Sequence, residues 1–213
     1  MTAIITGDII KSRKLTTQDI WLKPIKSLFN EWGRTPNLWE IYRGDSFQLE
    51  ISQPEKALSA ALRIKATIKS IRQSEDNKRI SEIDIRMAIG IGQKTYNADR
   101  ISESNGSAFI YSGEKLELLK KEKVTLAVKS EWPSFDKEIN LYLKLALREM
   151  NSWTISSGEL VNAILLNPNK NQTEIGKLLD IEQNSVSGRY KRSYVEELLE
   201  LDLMYKEKLK QYI

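Results

Sequence analysis

The chain has 213 residues, 40% of them apolar, a net charge of +4, and neither histidine nor cysteine. That length and apolar share supply the core of one large or two small domains, while the two missing residue types exclude disulfides, thiolate or imidazole zinc sites, thiol nucleophiles and a Ser-His-Asp triad. Carboxylates remain as ligands for a hard cation such as Mg2+ or Mn2+. No run approaches the roughly 18 apolar residues of a membrane span, and no basic segment followed by a long apolar one opens the chain. A cytoplasmic protein with no membrane partner is expected, and the basic balance leans mildly toward nucleotide or nucleic-acid partners.

Residues 2–7 form an apolar run that reads as a strand closed by Asp8. Lys11, Ser12, Arg13 and Lys14 then lead into a helix in which Trp21, Ile25, Leu28, Phe29 and Trp32 recur at helical spacing, ended by Gly33 and Pro36. Residues 38–51 read as a β-hairpin turning at Arg43-Gly44-Asp45, where glycine supplies the positive φ of a tight turn. Pro54 opens a second helix whose buried stripe is Leu58, Ala61, Leu62, Ile64, Ile68 and Ile71. Residues 73–79 read as a charged loop, and 83–92 alternate as a strand does. This βαββαβ order predicts an α+β, ferredoxin-like split βαβ fold. A loop with Asn105-Gly106, a short helix near 111–121 and an added edge strand at 124–128 follow. Trp132-Pro133 marks a shift to wholly helical patterning, so an α/β domain over 1–131 and an all-α domain over 132–213 are expected.

In that topology the third strand lies between the first two, antiparallel to both, so the end of the first meets the start of the third. Asp8 and Asp45 occupy those ends. Two such carboxylates repel unless a cation joins them, and the backbone carbonyl of Ile9 adds a further oxygen. A pair of ions there, about 3.5–4 Å apart, is suited to activating a hydroxyl and neutralising a triphosphate. Each aspartate has a plainer role available: Gly-Asp makes a good hairpin turn and Asp8 a good cap. Lys11, Ser12, Arg13 and Lys14, at the expected helix entry, suit phosphate through backbone N–H groups and the helix dipole.

The segments Ile4-Ile5-Thr6-Gly7-Asp8-Ile9 and Arg43-Gly44-Asp45-Ser46-Phe47 resemble the two metal-aspartate motifs of palm-type nucleotidyl cyclases, both class III and GGDEF. Residues 86–92 are similar to the following class III strand, and the cyclase likeness covers about 1–129. Nearly the whole chain resembles the SatD family in its Thr-Gly-Asp-Ile start, Gly-Asp-Ser-Phe hairpin and C-terminal helices. The cyclase resemblance implies metal at Asp8 and Asp45, a nucleoside triphosphate as ligand or substrate, and contacts from Ile9, Lys11, Ser12, Arg13, Arg43 and Gly44. Against GGDEF, Arg43 replaces a glycine and Ser46 the glutamate. Against class III, the paired Asn and Arg are missing from residues 111–116, leaving Lys115 as the candidate catalytic substitute, although an ammonium fits a phosphoryl group less well than a guanidinium.

Residues 171–192 resemble a helix-turn-helix. Gly176 is small where two helices approach, Asp180 tolerates a left-handed turn, and Ile175, Leu179, Ile181 and Val186 make a shared apolar wedge. Gln183, Asn184, Ser185 and Ser187 suit base edges and phosphates of double-stranded DNA, and Arg189, Lys191 and Arg192 add positive charge with no acid between them. A helical hairpin that packs only within its own chain is the plainer alternative. The last helix, over 194–212, has a broad apolar face for packing on this unit or for a homodimer.

The leading expectation is a cytoplasmic regulator with a metal- and nucleotide-binding cyclase-like domain and a DNA-binding tail. The alternatives are an active nucleotidyl cyclase or second-messenger synthase using two metal ions, with the tail as a docking module, and a pair of interaction scaffolds with a decayed site.

Overall fold

The computed structural model describes residues 1–15, 17–72, 80–81 and 83–213; the expected loop at 73–79 lies outside them. The architecture is mixed α/β, a five-stranded sheet with helices packed around it. Its first part runs β1 (Thr2–Ile10), α1 (Asp19–Phe29), β2 (Trp39–Tyr42), β3 (Ser46–Ile51), α2 (Ala57–Lys69), β4 (Asp84–Gly92), α3 (Ser107–Glu122) and β5 (Leu126–Lys129). The strand order is β2-β3-β1-β4-β5, antiparallel throughout except for the parallel β4–β5 pair.

Alternation along β1 assigns the two faces. Ala3, Ile5 and Ile9 enter the main core with Trp21, Ile25 and Phe29 of α1 and the apolar stripe of α2. The intervening Ile4 packs with Ala108 and Phe109 of α3 on the other face. Helix α3 lies very close to the sheet because β4 offers no side chain at Gly90. A Cβ there would come within 2.1 Å of the Ala108 carbonyl oxygen and 2.4 Å of the Ser112 nitrogen. The Thr6 and Ser112 hydroxyls, 2.8 Å apart, join β1 to the same helix in a buried hydrogen bond.

Two boundaries differ from expectation. Strand β1 does not close at Gly7 but continues to Ile10, because Ile9 pairs with Ile85 and buries its side chain in the core. Asp8 is therefore an interior strand residue. Helix α3 begins at Ser107, directly after Gly106 at φ 148°, four residues earlier than the sequence pattern suggests.

The rest of the chain is α4 (Pro133–Met150), α5 (Ile155–Leu166), α6 (Gln172–Leu179), α7 (Gln183–Ser193) and α8 (Val195–Leu209). Asn140 of α4 satisfies the outer edge of β5: it accepts from the Val128 N–H at 2.8 Å and donates to the Val128 carbonyl at 2.8 Å. Helix α5 rests on α2 at Gly158, where a Cβ would meet the Ala66 carbonyl oxygen and the Ser70 nitrogen, each at 2.8 Å. The apolar core is continuous from Ala3 to Leu209. Among the described residues no helix is long and apolar enough to cross a membrane.

A charged knot lies between sheet and helices. The fully buried Lys65 ammonium donates to Asp84 at 2.9 Å and to the Asn151 side chain at 2.8 Å, while Lys69 donates to the Asn151 carbonyl at 2.9 Å. Burial pushes the Lys65 ammonium below its ordinary pKa, and the adjacent Asp84 charge opposes that.

Candidate functional site

Asp8 and Asp45 meet through strand register. Asp8 stands opposite Ser46 on β3 and opposite Arg86 on β4, and the next residue, Ile9, donates its N–H to the Asp45 carbonyl at 3.0 Å. The three-residue connection Arg43-Gly44-Asp45 closes the hairpin between the paired Tyr42 and Ser46. It does so with two consecutive positive φ angles, 53° at Arg43 and 88° at Gly44. The second is a natural glycine position. The first places a non-glycine residue in the left-handed region, an uncommon choice that holds the Arg43 side chain at the exposed tip.

The two carboxylates have different environments. The Asp45 side chain is held by the buried Ser12, whose hydroxyl donates to Oδ2 at 2.9 Å. Asp8 faces the α3 side of the sheet and receives one guanidinium nitrogen of Arg86, at 3.2 Å from Oδ2 and 3.4 Å from Oδ1. Burial lifts the Asp8 carboxyl above its ordinary pKa by more than Arg86 and Lys120 lower it, and the negative charges of Asp45 and Glu117 push the same way. Such a carboxylate gains from any cation that reaches it. Among the described residues the buried Arg86 Nε has no hydrogen-bond partner, so its fit to Asp8 is incomplete.

Lys11 to Lys14 do not stand at the entry of a long helix. Ser12–Lys14 is an isolated 3-10 turn, and α1 starts only at Asp19, so the helix-dipole argument for phosphate at Lys11, Ser12 and Arg13 does not apply. Lys11, at φ 64°, and Arg13 are exposed, while Ser12 turns inward to Asp45. The Lys115 ammonium lies 3.8 Å from Glu122 and acts on Asp136, and the α3 charges that act on Asp8 are Lys120 and Glu117.

Sequence reasoning missed Arg86 as the partner of Asp8. Its identity needed the β1–β4 register, which pairs residues 78 positions apart. It also missed the clamp from Ser12, since a serine in a basic run reads as a phosphate contact.

The second candidate surface lies on α6 and α7. Asn171 and Glu174 cap α6 reciprocally: the Asn171 side chain accepts from the Glu174 N–H at 3.0 Å and the Glu174 side chain from the Asn171 N–H at 2.9 Å. Asp180 ends the helix in the left-handed conformation at φ 52°. A Cβ at Gly176 would lie 2.7 Å from the Ile181 carbonyl oxygen in the turn and 3.3 Å from Val186 Cγ2, so a larger residue would force the pair apart. Gln183, Asn184 and Ser185 are exposed at the start of α7, and Ser187 is half-buried. The basic residues separate. Arg189 is drawn to Glu159 of α5 at 3.5 Å, an acid distant in sequence that the local charge pattern does not reveal. Lys191 and Arg192 remain exposed in the last turn, on a cleft shared with Thr154 and Ser157.

No protein-family model matches this chain, and no curated protein matches it.

Proposed function

We propose that this chain is a ligand-responsive regulator. Its sheet would act as a ferredoxin-like, palm-type domain that binds a nucleoside triphosphate with Mg2+ or Mn2+ at Asp8 and Asp45, and α6–α7 as a helix-turn-helix that binds double-stranded DNA. The observation that carries the reading is that strand register sets Asp8 beside the hairpin turn that holds Asp45, with burial and the Asp45 charge both raising the pKa of the Asp8 carboxyl. Among the described residues no cluster of three or more acidic side chains could hold a metal alone. A two-carboxylate set still fits a nucleotide-borne Mg2+, which keeps several waters and takes most other oxygens from phosphate. Bound there, such an ion would neutralise phosphate charge. Asp8 and Asp45 would hold it, Ser12 would keep Asp45 oriented, and Arg86 would have to turn aside.

Support for the second half comes from the exposed polar start of α7, the left-handed turn at Asp180 and the exposed charges of Lys191 and Arg192. The likeness to the SatD family belongs to the same reading.

Thermal unfolding with ATP or GTP plus Mn2+ tests the site. A ligand that binds only the folded state raises Tm, so wild type shifts upward while Asp8→Ala and Asp45→Ala do not. No shift with either nucleotide overturns the proposal. For DNA, replacing Lys191 and Arg192 together by alanine weakens binding and lowers the salt slope by about two; an unchanged slope reassigns α7 to protein contact.

A further inference from the structure

A groove of about 580 Å³ runs between α4 and α8 and meets, at Glu149 and Tyr194, the cleft lined by Lys191 and Arg192. Its floor is apolar, with Met150, Leu198 and Leu201 buried at the base and Leu145 and Met204 forming walls. Leu145 is 57% exposed and Tyr194, at one end, 45% exposed, so large apolar surface stays in water. Leu141, 56% exposed, extends the strip by one helical turn. The charged side chains lining the groove are all acidic: Glu149 from α4, and Glu197 and Glu200 from α8.

We propose that this groove receives a basic amphipathic helix of a partner protein. Both walls are helices whose backbone groups are bonded internally, so an extended segment would leave its own N–H and C=O groups unpaired against carbon. A helix brings its hydrogen bonds with it. On α4 the lining runs from Tyr142 to Met150, about 12 Å at 1.5 Å per residue, which matches two to three turns of an incoming helix. Leucine-type residues at i, i+3, i+4 and i+7 would cover Leu145 and Leu201, and lysines or arginines on the flanks would meet Glu149, Glu197 and Glu200. A second copy docking by two-fold symmetry through this groove would bring two acidic rims together with no basic lining residue to offset them, which like-charge repulsion opposes. The acidic rim likewise disfavours an anionic membrane surface.

Fluorescence anisotropy tests the assignment on the full chain with three labelled peptides of about 15 residues. One carries leucines at the helical spacing and lysines elsewhere, the second has glutamate for each lysine, and the third scrambles the first. The lysine peptide is expected to bind at least about tenfold more tightly than both others, with an affinity that falls as salt rises. The E149K/E197K/E200K variant, and separately L145E, should each weaken it by about tenfold or more. Leu145 is exposed, so L145E keeps its fold, which circular dichroism verifies. Equal binding of the glutamate or scrambled peptide overturns the proposal, as does indifference to the triple charge reversal. Sedimentation showing a dimer that L145E dissociates overturns it in favour of a second copy.

Discussion

Replacing Arg86 by methionine isolates the electrostatic logic of the Asp8 site. In the folded protein this arginine neutralises Asp8 with one nitrogen astride two oxygens at 3.2 and 3.4 Å, a looser arrangement than two parallel bonds. The Arg86 and Asp8 side chains are 19% and 24% exposed. The pair therefore falls between exposed ion pairs, worth about 0.2–1 kcal/mol, and buried ones, whose disruption costs about 3–5 kcal/mol. A value of about 1–2 kcal/mol follows, and a metal ion that takes over Asp8 must first supply it. Arg86→Met should therefore bind Mn2+ about 5- to 30-fold more tightly than wild type without nucleotide. Methionine fills the aliphatic path and removes the unpartnered Nε, so the fold is retained. Mn2+ titration followed by electron paramagnetic resonance reads the change directly. Loss of the arginine removes a charge that lowers the Asp8 pKa, so protons compete more strongly and the gain should shrink as pH falls. Equal or weaker Mn2+ binding by Arg86→Met would refute the reasoning. So would a gain that survives in the double variant with Asp8→Asn.

Three further outcomes follow from packing and charge. Asp84→Asn leaves the Lys65 ammonium fully buried without its main counter-charge, so unfolding in urea should show a loss of about 3–5 kcal/mol, whereas Lys65→Met, which leaves Asp84 near Lys69 at 3.8 Å, should cost less. Gly90→Ala drives a methyl group into the backbone of α3 and should cost about 1–3 kcal/mol or more, with a drop in Tm; an unchanged Tm would mean that α3 lies further from the sheet. Burial pushes the Glu40 carboxyl upward, but hydrogen bonds from Ser102 and Arg100 hold its pKa below its ordinary value overall. Its contribution is thus complete above the unfolded-state value and disappears as pH falls through the lower folded value. An acid titration should accordingly find Glu40→Gln less sensitive than wild type as pH falls through and below the ordinary carboxylate range.

The elements themselves were legible because each carries its own period and punctuation. Trp21, Ile25, Leu28 and Phe29 repeat at helical spacing, 83–92 alternates, and Arg43-Gly44-Asp45 turns a hairpin. From that order the neighbourhood of Asp8 and the hairpin turn could be anticipated, since strand ends follow from connectivity. Ionic partners could not. Arg86 reaches Asp8 across β4, Glu159 claims Arg189 from α5, Ser12 turns to Asp45, and Lys115 goes to Glu122. Local pattern records which face a residue occupies. Which charge it meets depends on the register and crossing of segments far apart in the chain, set by close approaches such as Gly90 on α3 and Gly158 on α2. Those approaches belong to the packed molecule, and they decide which charge each carboxylate meets.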